Sequence, residues 1–141
     1  MELSIVTVHT NDALILETIA SVYKTVKVPF EYIVVDNHAN PEYLKKIREK
    51  FQQVIVIQNP KNYGYARAIN QGIKKAQGEF VLVLNPDVLV FEKTIDEMLK
   101  YLKQNQDVVL IGPKLLNADN SLQYSCRKFP KFWTMFFRRG L

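Results

Sequence analysis

Gly78-Glu79-Phe80-Val81-Leu82-Val83-Leu84-Asn85-Pro86-Asp87 is the stretch on which the fold turns. The glycine reads as the C-terminal stop of a preceding helix. Phe80 to Leu84 is an apolar run of strand length, and Asn85-Pro86-Asp87 ends it. A strand that is apolar throughout is buried on both faces, so helices should cover both sides of a mainly parallel sheet. In such sheets, ligands bind beyond the carboxyl ends of the strands. Asp87 stands at such an end.

The same alternation extends in both directions. Leu3 to Val8 is a first strand. Asn11 and Asp12 open a helix, with the Asn side chain as cap and Asp12 at its positive end. Leu16, Ile19, Ala20 and Tyr23 recur at helical spacing. Phe30 to Val35 is a second strand, followed by Asp36-Asn37. Asn40-Pro41 starts a helix with cap and first-position proline in the preferred order, and Leu44, Ile47 and Phe51 form its buried stripe. Val54 to Ile57 is a third strand. Ala66, Ile69, Ile73 and Ala76 line the next helix. After Asp87, Ile95, Met98, Leu99 and Leu102 line a fourth. Val108 to Ile111 reads as a fifth strand, closed by Gly112-Pro113. Residues 114–125 read as a loop or hairpin turning at Asp119-Asn120. The expected architecture is therefore α/β, with three layers and a mainly parallel sheet.

With 141 residues the chain suits one core. No apolar run reaches the roughly 18 residues that span a bilayer. The N-terminus runs straight into a strand, without a signal pattern, so a cytoplasmic location is expected. The single cysteine, Cys126, fits a reducing compartment and rules out an internal disulfide. The net charge is +5, and residues 127–141 carry five basic residues with no acid. The other 14 basic residues balance all 14 acidic ones, so the body is neutral. A nucleic-acid binder usually spreads positive charge over a folded face, and no such partner is expected.

Three groups of residues can carry chemistry. Asp87, with two diphosphate oxygens and waters, can complete a magnesium or manganese shell; from spacing alone it also reads as a cap on the next helix. Asp36 can accept a hydrogen bond from a base or ribose, or cap a turn. Asn37 beside it reads as a turn residue. In Asn62-Tyr63-Gly64-Tyr65-Ala66-Arg67-Ala68-Ile69-Asn70-Gln71-Gly72, Gly64 permits a positive φ. Arg67 and Asn70 lie one turn apart, and the helix start favours an anion. The segment is neither a dinucleotide fingerprint nor a triphosphate loop. His9 and His38 follow strands without partners at metal-ligand spacing, which favours a structural role for both.

In this order and spacing, these pieces resemble the family 2 glycosyltransferases of GT-A fold. The resemblance covers essentially the whole chain. It rests on Asn11 after the first strand, on Val34-Val35-Asp36-Asn37, on Asn62 to Ala66 with Asn70 and Gly72, and on Gly78 to Asp87. Gly112-Pro113-Lys114-Leu115-Leu116-Asn117, with Ser121-Leu122-Gln123 and Ser125 to Pro130, is similar to the rhamnosyltransferase-like branch. The resemblance implies donor binding by His9, Thr10, Asn11, Asp36, Arg67, Asn70, Asn85 and Asp87. Asp36 would meet the base of a UDP- or dTDP-sugar, and Asp87 would match the last aspartate of the metal-binding Asp-x-Asp motif. The implied reaction is inverting sugar transfer to the hydroxyl of a carbohydrate or lipid-linked acceptor, in cell-surface polysaccharide synthesis.

The sequence departs from the family at Asn85, which replaces the motif's first aspartate, and at His9-Thr10, where Thr and Tyr are usual. No residue matches the family's acidic general base, and family members run on beyond this length. The expected division is a nucleotide-sugar-binding domain over 1–112 and the start of an acceptor-side region over 113–141. The chain then reads as a GT-A domain truncated at its C-terminus. The basic, aromatic tail Phe129 to Arg139 suits packing against a missing half or another copy, or peripheral contact with the inner face of a membrane. Two rival readings stand beside the enzyme. One is a non-catalytic nucleotide-sugar or carbohydrate-binding module. The other is a nucleotidyltransferase, disfavoured by the lack of a glycine-rich triphosphate loop near the first strand.

Overall fold

A computed structural model describes residues 1–125 of the chain. Two compact units divide at Val109/Leu110. The first contains every regular element among the described residues: β1 (Leu3–His9), α1 (Ile15–Thr25), β2 (Phe30–Asp36), α2 (Pro41–Lys50), β3 (Ile55–Gln58), α3 (Tyr65–Lys75), β4 (Phe80–Val83) and α4 (Thr94–Gln104). The sheet order is β3-β2-β1-β4. All three pairings are parallel, from Leu3 beside Phe30 to His9 beside Asp36, from Leu3 beside Phe80 to Val6 beside Val83, and from Ile33 beside Ile55 to Asp36 beside Gln58.

The sequence pattern explains the layers. β1 is buried at all seven residues, and alternate side chains feed different cores. Leu3 and Ile5, with Tyr32 and Val34, pack against Ile15, Ile19 and Val22 of α1, Ile47 of α2 and Ile95 and Leu99 of α4. Val6 and Val8, with Ile33 and Val35, pack against Ala68 and Ile69 of α3. The structure is thus three-layered α/β/α, as expected, with α3 alone on the second face.

That asymmetry follows from the strand order. The chain steps outward from β1 to β2 to β3, then jumps back past β1 to β4. Right-handed crossovers made in opposite directions put their helices on opposite faces. The reversal leaves a crevice at the carboxyl ends of β1 and β4. Gly72 lets α3 lie close to the sheet there: a Cβ at this position would come within 2.2 Å of Val6 Cγ1 and 3.1 Å of Val35 Cγ2.

Four local expectations are corrected. α1 begins at Ile15, because Asn11 takes a left-handed conformation (φ 67°) and its Oδ1 accepts from Asn40 N instead of capping the helix. Asp12 closes the intervening turn, accepting from Leu14 N at 2.9 Å. α3 ends at Lys75, so Gly78 is not its terminator. Gly78 instead lets the chain pass beside β1, where a Cβ would stand 2.5 Å from Ser4 N. Finally, 108–111 is not a strand. Val109 and Leu110 are exposed and pair with nothing among the described residues. An apolar run becomes a strand only when a partner edge satisfies its backbone.

In the second unit, Leu116 and Leu122 form one antiparallel bridge across a turn. Asp119 Oδ1 accepts from Ser121 N and Oγ there, and Asn120 has φ 63°. Cys126, the branch-like residues up to Pro130 and the basic aromatic tail lie outside the described residues.

Candidate functional site

A cavity of about 340 Å³ opens at the crevice, walled by Val8 of β1, Thr10 and Asp12 after it, Asn37 after β2, Asn62, Gly64 and Tyr65 at the entry to α3, and Asn85, Pro86 and Asp87 after β4. Three strand ends and one helix start therefore converge on it. A larger hollow of about 500 Å³ runs along α2, from Pro41 to Gln52, and reaches Gln58. It lies beside the edge strand, away from the reversal, and gathers no residues from the centre of the sheet.

The β4 arm of the cavity is held from beneath. Thr18, fully buried in α1, donates to Pro86 O at 2.7 Å. Ser21 Oγ, one turn later, accepts from Val90 N at 3.1 Å. α1 thereby fixes the backbone of the Asn85–Asp87 turn and leaves both side chains exposed to solvent. The read pattern of α1 concerned its apolar stripe; a threonine and a serine facing a loop nearly 70 residues away leave no periodic trace.

The α3 arm starts at Gly64 (φ 79°), with no side-chain cap and no acid in the first turn. Its first backbone N–H groups thus point outward unpaired by the helix, which favours an anion. Beside it, the Arg67 guanidinium lies 4.2 Å from the Tyr63 ring centroid and the Lys61 ammonium 5.6 Å from it. Cations over an aromatic face are held there by its quadrupole. No ion pair involves Arg67 among the described residues.

The expected donor residues fall into two groups. Thr10, Asn85 and Asp87 line the cavity. His9, Asn11, Asp36, Arg67 and Asn70 do not form its wall. Asp36 is buried at the end of β2, where its Oδ1 accepts from Ala39 N at 2.9 Å. Arg67 and Asn70 are exposed on α3. The His9 ring turns to the α2 side and meets Tyr43 edge-on at 5.0 Å. Its Nε2 lies 3.2 Å from Asp12 O, while Nδ1 is buried without a partner. Burial pushes the imidazole pKa below its ordinary value, against the opposing pull of the Asp12 carbonyl and the Asp36 and Asp12 charges. His9 is thus a neutral packing group.

Two wall residues stand outside the expected donor set: Asp12, expected to open a helix, and Asn37, expected in a turn. Asn37 is 1% exposed, and its side chain is bonded to three partners.

The donor set bears on a metal. Among the described residues, no three His, Cys, Asp or Glu side chains cluster to cage an ion. Asp12 and Asp87 are the wall's carboxylates, and Asn85 adds an amide two residues before Asp87. One or two carboxylates plus substrate phosphates are a usual magnesium arrangement, so these residues fit an ion brought in with a diphosphate and not an all-protein site.

Known proteins resemble this chain in sequence and fold. The model of the family described as glycosyl transferase family 2 matches residues 4–140. A poly(ribitol-phosphate) β-N-acetylglucosaminyltransferase, TarP of Staphylococcus aureus, is 34% identical over 100 residues, covering 67% of this chain and 31% of that protein. An undecaprenyl-phosphate 4-deoxy-4-formamido-L-arabinose transferase of Pectobacterium atrosepticum is 31% identical over 113 residues, covering 77% and 34%. A crystal structure of S. aureus TarS 1–349 in complex with UDP superposes with a TM-score of 0.64 at 26% identity, covering 75% of this chain and 33% of that one. The chain spans about a third of the length of these relatives.

Proposed function

The chain belongs to glycosyl transferase family 2, and from that premise we propose that its cavity binds the nucleotide of a UDP- or dTDP-sugar for inverting transfer of the sugar to an acceptor hydroxyl. The observation that carries the reading is the convergence of Thr10, Asp12, Asn62, Gly64, Asn85 and Asp87 on one cavity at the reversal of strand order. UDP in the structurally similar TarS supports a pyrimidine diphosphate.

In this reading, Asp87 and Asn85 hold a magnesium or manganese ion together with the diphosphate. The ion supplies charge neutralisation for the departing nucleotide. The open start of α3 and the Arg67 guanidinium add positive potential on the same side. Thr10 and Asp12 border the nucleoside. Asp36, buried behind the wall, shapes the β2 end toward the base; His9 and Asn11 act from beneath as packing and loop-holding groups, and Asn70 stands further along α3.

The acceptor is a carbohydrate or a lipid-linked molecule, in line with the polymer and undecaprenyl-phosphate named for the two relatives. Membership in the rhamnosyltransferase-like branch, a role in polysaccharide synthesis and contact of the basic tail with a membrane or a second copy belong to the same proposal. No helix among the described residues is long and apolar enough to cross a membrane. The division of labour proposed is donor binding over 1–112 and acceptor-side structure from 113.

A melting scan with UDP, dTDP, GDP and ADP, each with and without manganese, tests this. A ligand that binds only the folded state raises the melting temperature by mass action. The expected result is stabilisation by a pyrimidine diphosphate that requires metal and vanishes in Asp87→Ala. Stabilisation indifferent to metal and to Asp87 favours a non-catalytic binding module, which the thin carboxylate set, Asp12 and Asp87 alone, also suits. No response to any nucleotide sinks both.

A further inference from the structure

The donor reading leaves the buried amide at the end of β2 without a task. Asn37 Oδ1 accepts from Tyr63 N at 2.9 Å and from Asn59 Nδ2 at 3.3 Å. Its Nδ2 donates to Asn62 Oδ1 at 2.8 Å, and that oxygen also accepts from Gly64 N at 2.8 Å. Asn59 in turn forms a two-way amide pair with Gln71 of α3, at 2.8 and 3.1 Å. Backbone N–H groups only donate, so Tyr63 N and Gly64 N fix which atoms of Asn37 and Asn62 are oxygens.

Packing does not hold this corner. Nothing lies within 4 Å of where a Cβ on Gly64 would stand, and Asn62, Gly64 and Tyr65 are exposed. Hydrogen bonds from a buried residue of another element hold it instead. We infer that Asn37 is a positioning residue for the nucleotide cavity: it fixes Tyr63 directly and Gly64 through Asn62, and with them the wall that leads into α3. The inference rests on the donor reading of the same cavity. The position needs an amide, because it must accept from Tyr63 N and donate to Asn62 Oδ1 at once. An ionised carboxylate only accepts, so it would set two oxygens against each other.

The test is calorimetric titration of UDP with manganese into the full chain, Asn37→Asp, Asn62→Ala and the double variant, at a temperature well below every melting point. Each single variant should weaken UDP about fivefold, the factor that the net worth of one hydrogen bond implies. The double variant should bind no more weakly than the worse single one, since both changes break one path. Hydrogen exchange should quicken at the Tyr63 and Gly64 amides and stay slow in β1. A fall in melting temperature with UDP affinity unchanged would make Asn37 merely structural and overturn the inference. So would losses that multiply in the double variant. Asn62→Ala, at an exposed position, decides the matter alone if Asn37→Asp does not fold. A wild-type chain that binds neither UDP nor dTDP overturns the donor reading and this inference together; binding that survives both variants overturns this inference only.

Discussion

The two ends of the sheet use similar side chains to opposite effect. At the amino end, Glu31 is buried and its Oε1 accepts twice: Ser4 Oγ donates to it at 2.6 Å and Gln77 N at 2.7 Å, while Ser4 Oγ accepts from Gly78 N at 2.8 Å. At the carboxyl end, Asp87 is exposed on a turn whose backbone is pinned and whose carboxylate is in no ion pair or side-chain hydrogen bond among the described residues. One carboxylate closes the fold and the other is kept open. The lesson is that a polar residue at a strand end signals a ligand only where its backbone is secured by others. Where the side chain itself does the securing, nothing is left over to bind.

Variants at each end should separate the two roles. Glu31→Ala leaves the buried Ser4 hydroxyl without its acceptor and removes one of the two acceptors of Gln77 N, and an unpaired buried donor costs about 1–3 kcal/mol. Urea denaturation should show a loss of about 2 kcal/mol, with nucleotide affinity unchanged in the folded protein. Glu31→Gln, which keeps an acceptor oxygen, should recover part of it. A change in affinity would show that the ends are coupled.

Gly72→Ala probes the strut between them, since the chain just after α3 is tied at Gln77 and Gly78 to one end, and the chain just before it is held at Gly64 by Asn62 at the other. The added methyl meets the stiff, buried Val6 side chain. Overpacking of this kind costs typically 1–3 kcal/mol. Here affinity should fall with stability, because α3 must shift at the cavity as well; a purely thermal effect would show that α3 tolerates displacement at its start.

His9 gives a smaller effect with a defined sign. Its folded pKa lies below the ordinary 6.5 because burial disfavours the imidazolium. The unfolded chain therefore takes up the proton first as pH falls. Stability is complete above about 6.5 and declines as pH drops toward the depressed folded value, by at most about 1.4 kcal/mol per pH unit. Denaturation midpoints between pH 7.5 and 5.5 should fall less steeply in His9→Gln; parallel profiles would place the proton uptake elsewhere. The smallest stability change belongs to Asp87→Ala, expected within about 0.5 kcal/mol of wild type in the free protein. A larger loss in urea denaturation would mean that Asp87 supports the turn it stands on.

What the sequence revealed follows from the range of the interactions. The alternation of elements, the Asn40-Pro41 helix start and the suspicion attached to Thr10, Asn85 and Asp87 come from local spacing and from the general position of sites in such sheets. Asn40 does cap α2, accepting from Glu42 N at 3.0 Å. The hidden part is carried by pairs distant in sequence. Asn37 meets Asn59, Asn62 and Tyr63, and Thr18 meets Pro86, and neither contact has a periodicity. The strand expected at 108–111 failed for the same reason: apolar composition is local, whereas a pairing edge is not. Asn11 read as a helix cap because cap residues are recognised by their neighbours, but its actual partner, Asn40 N, comes after the second strand.

The jump from β3 back to β4 also sets an order of events. β1, β2 and β3 are consecutive, so a chain emerging from the ribosome can pair them as it appears. The remaining edge of β1 has to wait for residues 80–83, and long-range pairings of that kind form slowly. Until then the central strand presents a bare apolar edge, the sort of surface that partners wrongly in a crowded cell. The place where a nucleotide would sit is therefore the last part of the first unit's sheet to come into being.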